Sequence, residues 1–129
     1  MVGANVALAP MSNRLALGAS AEQLAARVLE DAGYAIVARN YRCAVGELDL
    51  VARQGGLLVF VEVRARSEGE HGAGPEQIIA RKRAKVSRVA AAYLALESPG
   101  FDQARFDIIA VTGGVVDWIA DAWRLGDRC

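Results

Sequence analysis

Apolar positions along the chain change period at a few well-marked points. Over SAEQLAARVLEDAG, residues 20–33, Leu24, Ala25, Val28, Leu29 and Ala32 recur at helical spacing. Ser20 followed by Gln23 is a capping-box pattern, and Gly33 supplies a left-handed stop, so a helix is expected there. The period then shortens to two. YAIVARNYR predicts a strand from about Tyr34 to Asn40, and GELDLVARQGGLLVFVEVRAR predicts two more, at about 46–53 and 57–65. A second, longer helix is expected over roughly 75–97, with Pro75 in its first turn and Ser98-Pro99-Gly100 as its stop. RFDIIAVT, a Gly113-Gly114 turn and VVDW read as a fourth strand and a short fifth one. The last segment, IADAWRLGDRC, is open between a strand end and a short helix. The order helix, three strands, helix, two strands predicts one mixed α/β domain over 18–122. Residues 1–17 read as a flexible extension, with Met11 as an alternative start, and 123–129 as a tail.

The strands at 46–53 and 57–65 carry acids inside apolar runs. If Gly55-Gly56 makes a two-residue hairpin turn, Gln54 pairs with Leu57, Asp49 falls opposite Glu62 and Glu47 falls opposite Arg64. Alternation then puts Glu47, Asp49, Glu62 and Arg64 on one face together with Leu58 and Phe60. Leu48, Leu50, Val59, Val61 and Val63 make the other face, which reads as core. Carboxylates directly opposite one another are about 5 Å apart and repel by on the order of 3 kcal/mol at an effective dielectric near 20. A raised pKa or a bound cation relieves that repulsion. Oxygen-only ligands suit a hard divalent cation such as Mg²⁺, so the acids make sense as a metal site. Glu22, seven positions before Leu29, borders the buried stripe of the first helix and is a candidate third acid; a first-turn carboxylate favoured by the helix dipole is the other reading.

Composition narrows the function further. The chain has 129 residues, zero formal net charge, 53% hydrophobic and 23% charged residues, as in an ordinary folded domain. No apolar run approaches the ~18 residues of a membrane span, and the N-terminus has no basic residue before Arg14, a poor signal peptide. Cys43 and Cys129 make no disulfide framework, so a reducing cytoplasm is the simpler expectation. His71, alone of its type and set in SEGEHGAG, reads as part of a loop rather than a zinc ligand or a catalytic base. With no bulk charge, a polyanion has to be met by a local face, and ARKRAKVSR at 80–88 supplies one through Arg81, Lys82, Lys85 and Arg88. A solvated helix face is the alternative, since Val86, Val89, Ala90 and Tyr93 form a separate apolar stripe.

An acid in one strand followed by a spaced Glu-x-basic in the next resembles the PD-(D/E)xK nuclease superfamily. More narrowly, AEQLAARVLEDAGY, ARNYR, GELDLVA, VFVEVRAR, Lys82 and RFDIIAV, spanning roughly 18–112 in order, resemble the YraN-like bacterial proteins, relatives of Holliday-junction resolvases. The resemblance implies a restriction-endonuclease-like domain with a mixed sheet of about four to five strands and flanking helices. It implies a metal-dependent endonuclease acting on DNA, with branched or flapped substrates suggested by the resolvase-like relatives, and a homodimer as a plausible assembly. Asp49 and Glu62 would hold Mg²⁺ or Mn²⁺, with the Val63 carbonyl as a further ligand and Glu22 as the helix acid. Gln77 and Lys82 would lie on the second helix, toward the site or the nucleic acid. Arg64 stands in the slot where the superfamily motif has lysine; it can bind phosphate but, always charged, cannot serve as a base. Two other readings stand beside this one. The fold can serve as a binding module with weak or no cleavage, or as an interaction protein using Trp118, Ile119 and Trp123.

Overall fold

Ser20 stands just ahead of a helix in the structure, a computed structural model that describes residues 4–7, 20–66 and 80–123. Its hydroxyl accepts from the Gln23 N–H while the Gln23 side chain accepts from the Ser20 N–H, the expected capping box. The helix that follows, α1, runs Ala21–Asp31, and Gly33 at φ +97° turns the chain into the sheet. The strands β2 (Ala35–Cys43), β3 (Gly46–Gln54) and β4 (Leu57–Arg66) follow, then α2 (Ala80–Glu97), β5 (Gln103–Thr112) and β6 (Val115–Trp123). The first turn expected for the second helix, with Pro75 and Gln77, lies outside the described residues, as do His71 and Cys129.

Two segments differ from expectation. Residues 4–7, placed above in a flexible extension, form β1 (Ala4–Ala7), antiparallel to β6 from Ala4↔Trp118 to Ala7↔Val115. An outer strand's unpaired backbone groups take a partner readily, and four residues are too few to show a period. The final segment, left open above, continues as strand through Trp123. Trp123 is buried and stacks on Phe106 with ring centroids 4.8 Å apart, so it belongs to the core rather than to a tail.

Among the described residues the sheet has six strands, in the order β1-β6-β5-β4-β3-β2. Only β4 and β5 pair in parallel, the step that needs a long crossover, and α2 lies in that connection. Among the described residues one helix covers each face. Leu24, Ala25, Ala26 and Leu29 of α1 pack over Leu50, Ala52, Val59, Val61 and Ile109, whereas Val86, Val89, Ala90 and Tyr93 of α2 pack over Val51, Leu58, Phe60, Phe106 and Ile108. Both sides of the central strands are therefore core, which is why LLVFV and IIAV read as continuous apolar runs. The face expected to carry the acids is as buried along Leu58 and Phe60 as the opposite one.

The hairpin register is the expected one, from Gln54↔Leu57 to Leu50↔Val61. It stops there, one position short of Asp49 and Glu62. At the same place simple alternation fails: Leu48 packs in the cluster under α2 with Val51, not with Leu50 and Val61 under α1. Glu47 lies opposite Arg42 of β2, and the β3–β4 ladder ends before the expected pairing of Glu47 with Arg64. No helix among the described residues is long and apolar enough to cross a membrane.

Candidate functional site

Where the β3–β4 ladder ends, side chains take over from the backbone. The Val63 N–H donates to Asp49 Oδ2 at 2.8 Å, so a carboxylate replaces a main-chain acceptor across the opening. Glu62, only 7% exposed, lies beside it. Burial, then the hydrogen bond and charge of Asp49, push the Glu62 carboxyl up from 4.5 to about 8, against the pull of Lys82. Lys82 reaches in from the first described turn of α2, its Nζ 3.7 Å from Glu62 Oε2.

The other acids gather on the near side of Asp49. Glu22, in the first turn of α1, is half-buried; burial first, then Asp49 and Glu47, raise its pKa, and a hydrogen bond from Asn40 opposes them. In β2, Arg39 pairs with Leu50 and Tyr41 with Leu48, so Asn40 sits opposite Asp49 of the neighbouring β3. With its carboxamide oriented to satisfy its surroundings, Asn40 Nδ2 donates to Glu22 Oε1 at 3.0 Å and to Glu47 Oε2 at 3.3 Å. Arg42 Nε stands 3.6 Å from the same Glu47 oxygen.

These groups border a cleft of about 250 Å³ lined by Glu47, Asp49, Glu62, Lys82, Lys85 and Val86. Its floor is acidic and its wall, from α2, is basic. Gly46 lets α2 come this close: a Cβ there would stand 2.9 Å from Val89 Cγ2 and 3.4 Å from Lys85 Cε. Arg81 and Arg88 are exposed on the same helix outside that lining, and Arg64 follows two positions after Glu62 on β4, also outside it. Gln77 lies outside the described residues. The structure thus brings Asp49, Glu62, Glu22 and Lys82 together, adds Glu47, and draws Lys85 into the cleft. Among the described residues no three carboxylate, imidazole or thiol groups converge tightly enough to hold a metal ion as they stand; Asp49 and Glu62 form an adjacent, interacting pair.

The family model described as "Uncharacterised protein family UPF0102" matches residues 21–111. The chain belongs to that family. It is 45% identical over 107 residues to a UPF0102 protein of Halorhodospira halophila, covering 83% of this chain and 86% of the relative. A UPF0102 protein of Nocardia farcinica is 45% identical over 104 residues, covering 81% and 82% of the two chains. UPF0102 protein BPSL3274 of Burkholderia pseudomallei is 46% identical over 112 residues, covering 86% and 77%. The stretch matched to UPF0102 runs from α1 almost to the end of β5 and so contains every residue of the cleft.

Sequence reasoning missed two polar groups in this UPF0102 chain. Asn40 is one; an asparagine between strand residues gives little warning that it will meet a helix. The other is Asp107, fully buried, which accepts from Arg105 Nε and Nη2 at 2.8 Å each, from Trp118 Nε1 at 2.8 Å and from the Asp121 N–H at 2.9 Å. Arg105 Nη2 also donates to the Tyr34 hydroxyl at 3.2 Å, and Asp107 holds the guanidinium's pKa above its ordinary value. Arg105 and Asp107, two apart in a strand, share a face, and that spacing is the signal that could have found the pair. A carboxylate this completely satisfied braces the β5–β6 irregularity and has a structural role.

Proposed function

We propose that this chain is a metal-dependent phosphodiesterase acting on nucleic acid, with DNA as the substrate and branched or flapped forms the first to test. The observation that carries the reading is Glu62, buried beside Asp49 at the floor of a cleft whose wall is lysine. Two adjacent carboxylates, one of them desolvated, call for a proton or a cation, and oxygen-only donors favour Mg²⁺ or Mn²⁺ over softer metals. Asp49 and Glu62 would hold such an ion, with the Val63 carbonyl available beside them. A hard cation that keeps most of its own waters needs few protein ligands, so a pair suffices. The order of elements, with an acid at the end of the hairpin ladder and Glu-x-Arg on β4, supports placing the chain in the PD-(D/E)xK superfamily.

When bound, the cation supplies charge for the scissile phosphate and lowers the pKa of a water. The rest falls to the chain. Lys82 brings to Glu62 the ammonium that the strand slot, holding Arg64, lacks; it is placed to meet a non-bridging phosphate oxygen. Lys85 extends the same wall, and Arg81 and Arg88 offer contacts to flanking phosphates. Arg64 contributes positive charge toward the scissile phosphate rather than a base.

The test incubates the purified protein with labelled single-stranded, duplex, flap and four-way-junction DNA, with and without Mn²⁺, beside Asp49→Asn and Glu62→Gln variants. Cleavage that requires Mn²⁺ and both acids is the expected result. Retention of one DNA form without cleavage, unchanged by Mn²⁺ and by either substitution, would instead mark a nuclease fold kept for binding.

A further inference from the structure

Three non-glycine residues among those described have positive φ: Asn40 at 50°, Ser98 at 47° and Asp121 at 58°. Two of them have local explanations. Ser98 follows the last residue of α2, where a left-handed residue commonly ends a helix, and the Asp121 N–H is held by Asp107 at the β5–β6 irregularity. Asn40 has neither. It lies inside β2, between Arg39 and Tyr41, both of which pair with β3, and it is exposed, so core packing does not require its backbone. A left-handed residue inside a strand is uncommon, and asparagine is among the few side chains that adopt it readily.

What the unusual backbone accomplishes is the placement of one amide. From this position a single Nδ2 reaches a carboxylate of α1 and a carboxylate of β3, joining a helix to the strand beside β2. An ammonium or guanidinium there would cancel the negative charge of the cluster. A carboxamide donates two hydrogen bonds and leaves that charge in place.

We propose that Asn40 is a positioning residue of the site: its carboxamide fixes Glu22 and Glu47 beside Asp49 and Glu62 as hydrogen-bond acceptors for the water shell of the bound divalent cation. This rests on the phosphodiesterase reading, since it takes Asp49 and Glu62 as the cation's ligands. Partners that orient groups around a metal are typically worth 10–100-fold in affinity or activity.

Asn40→Gly is the informative variant, because glycine tolerates the same backbone and removes only the amide. Mn²⁺ affinity of the full chain would be measured by water-proton relaxation, with thermal melting and DNA cleavage recorded in parallel for wild type, Asn40→Gly, Glu22→Gln, their double variant and Asp49→Asn. Asn40→Gly should melt close to wild type, bind Mn²⁺ about 10-fold more weakly or worse, and lower kcat with little change in KM for DNA. In the Glu22→Gln background the same substitution should cost clearly less, because part of what Asn40 positions is already altered. Wild-type affinity in Asn40→Gly, with affinity lost in Asp49→Asn, would reduce Asn40 to a turn residue. An equal loss in both backgrounds would overturn the link to Glu22. If wild type and Asp49→Asn alike fail to bind Mn²⁺, the phosphodiesterase reading itself falls, and the role of Asn40 with it.

Discussion

A carboxyl group that burial and a neighbouring acid hold at about 8 leaves a signature in stability as well as in chemistry. Between its ordinary value of 4.5 and about 8, Glu62 is protonated in the folded chain and ionised in the unfolded one. The folded state then binds more protons, so stability falls as pH rises through that window and levels off above it. The span corresponds to at most on the order of 5 kcal/mol. Glu62→Gln carries no such proton and should lack the slope, so urea titrations at pH 5 and pH 8.5 should show the variant gaining on wild type at the higher pH. Parallel slopes would mean that Glu62 ionises without penalty. The same acid was visible in the sequence because a two-residue turn fixes the register, and with it the adjacency of Asp49 and Glu62. What escaped was the break in the ladder beside them, because it depends on side chains that compete with backbone acceptors, as Asp49 does for the Val63 N–H.

At the scale of elements, the helices and strands were read from caps, turns and periods, and their limits moved by only a few residues. Ser20 and Gln23 pair as the capping box requires, and Gly33 turns the chain as expected. The short β1 and the full length of β6 were not legible, since one is too brief to show a period and the other ends on a tryptophan whose partner, Phe106, is remote in sequence. The approach of α2 to β3 was hidden for a related reason: it depends on what one residue lacks. Gly46 sits at φ +148° with Val89 and Lys85 against it, so Gly46→Ala should both strain the backbone and push α2 outward. A loss of roughly 1–3 kcal/mol in stability is expected from overpacking of this kind. Because Lys82 and Lys85 ride on the same helix, DNA affinity should fall with it. A variant as stable as wild type and unchanged in DNA affinity would show that α2 does not depend on this contact.

The whole molecule presents a neutral chain whose charges are sorted by position, acids at the end of a hairpin and bases along one helix. Binding to DNA through that helix should weaken steeply with salt, and removing a phosphate contact should lower the slope of log affinity against log salt by roughly 0.9. Arg81→Ala with Arg88→Ala should therefore flatten the slope by up to roughly 2 without abolishing cleavage at low salt. An unchanged slope would take those residues out of the interface. The sheet order carries a different consequence. Among the described residues β2 is the last strand of the six and is paired on one side only, yet it supplies Asn40 to the acids and Arg42 to Glu47. Edge strands exchange their amide hydrogens through small local openings that leave the core intact. The cluster is thus fastened at a margin of the sheet, and warming should dismantle it while the strands beneath α1 and α2 are still folded.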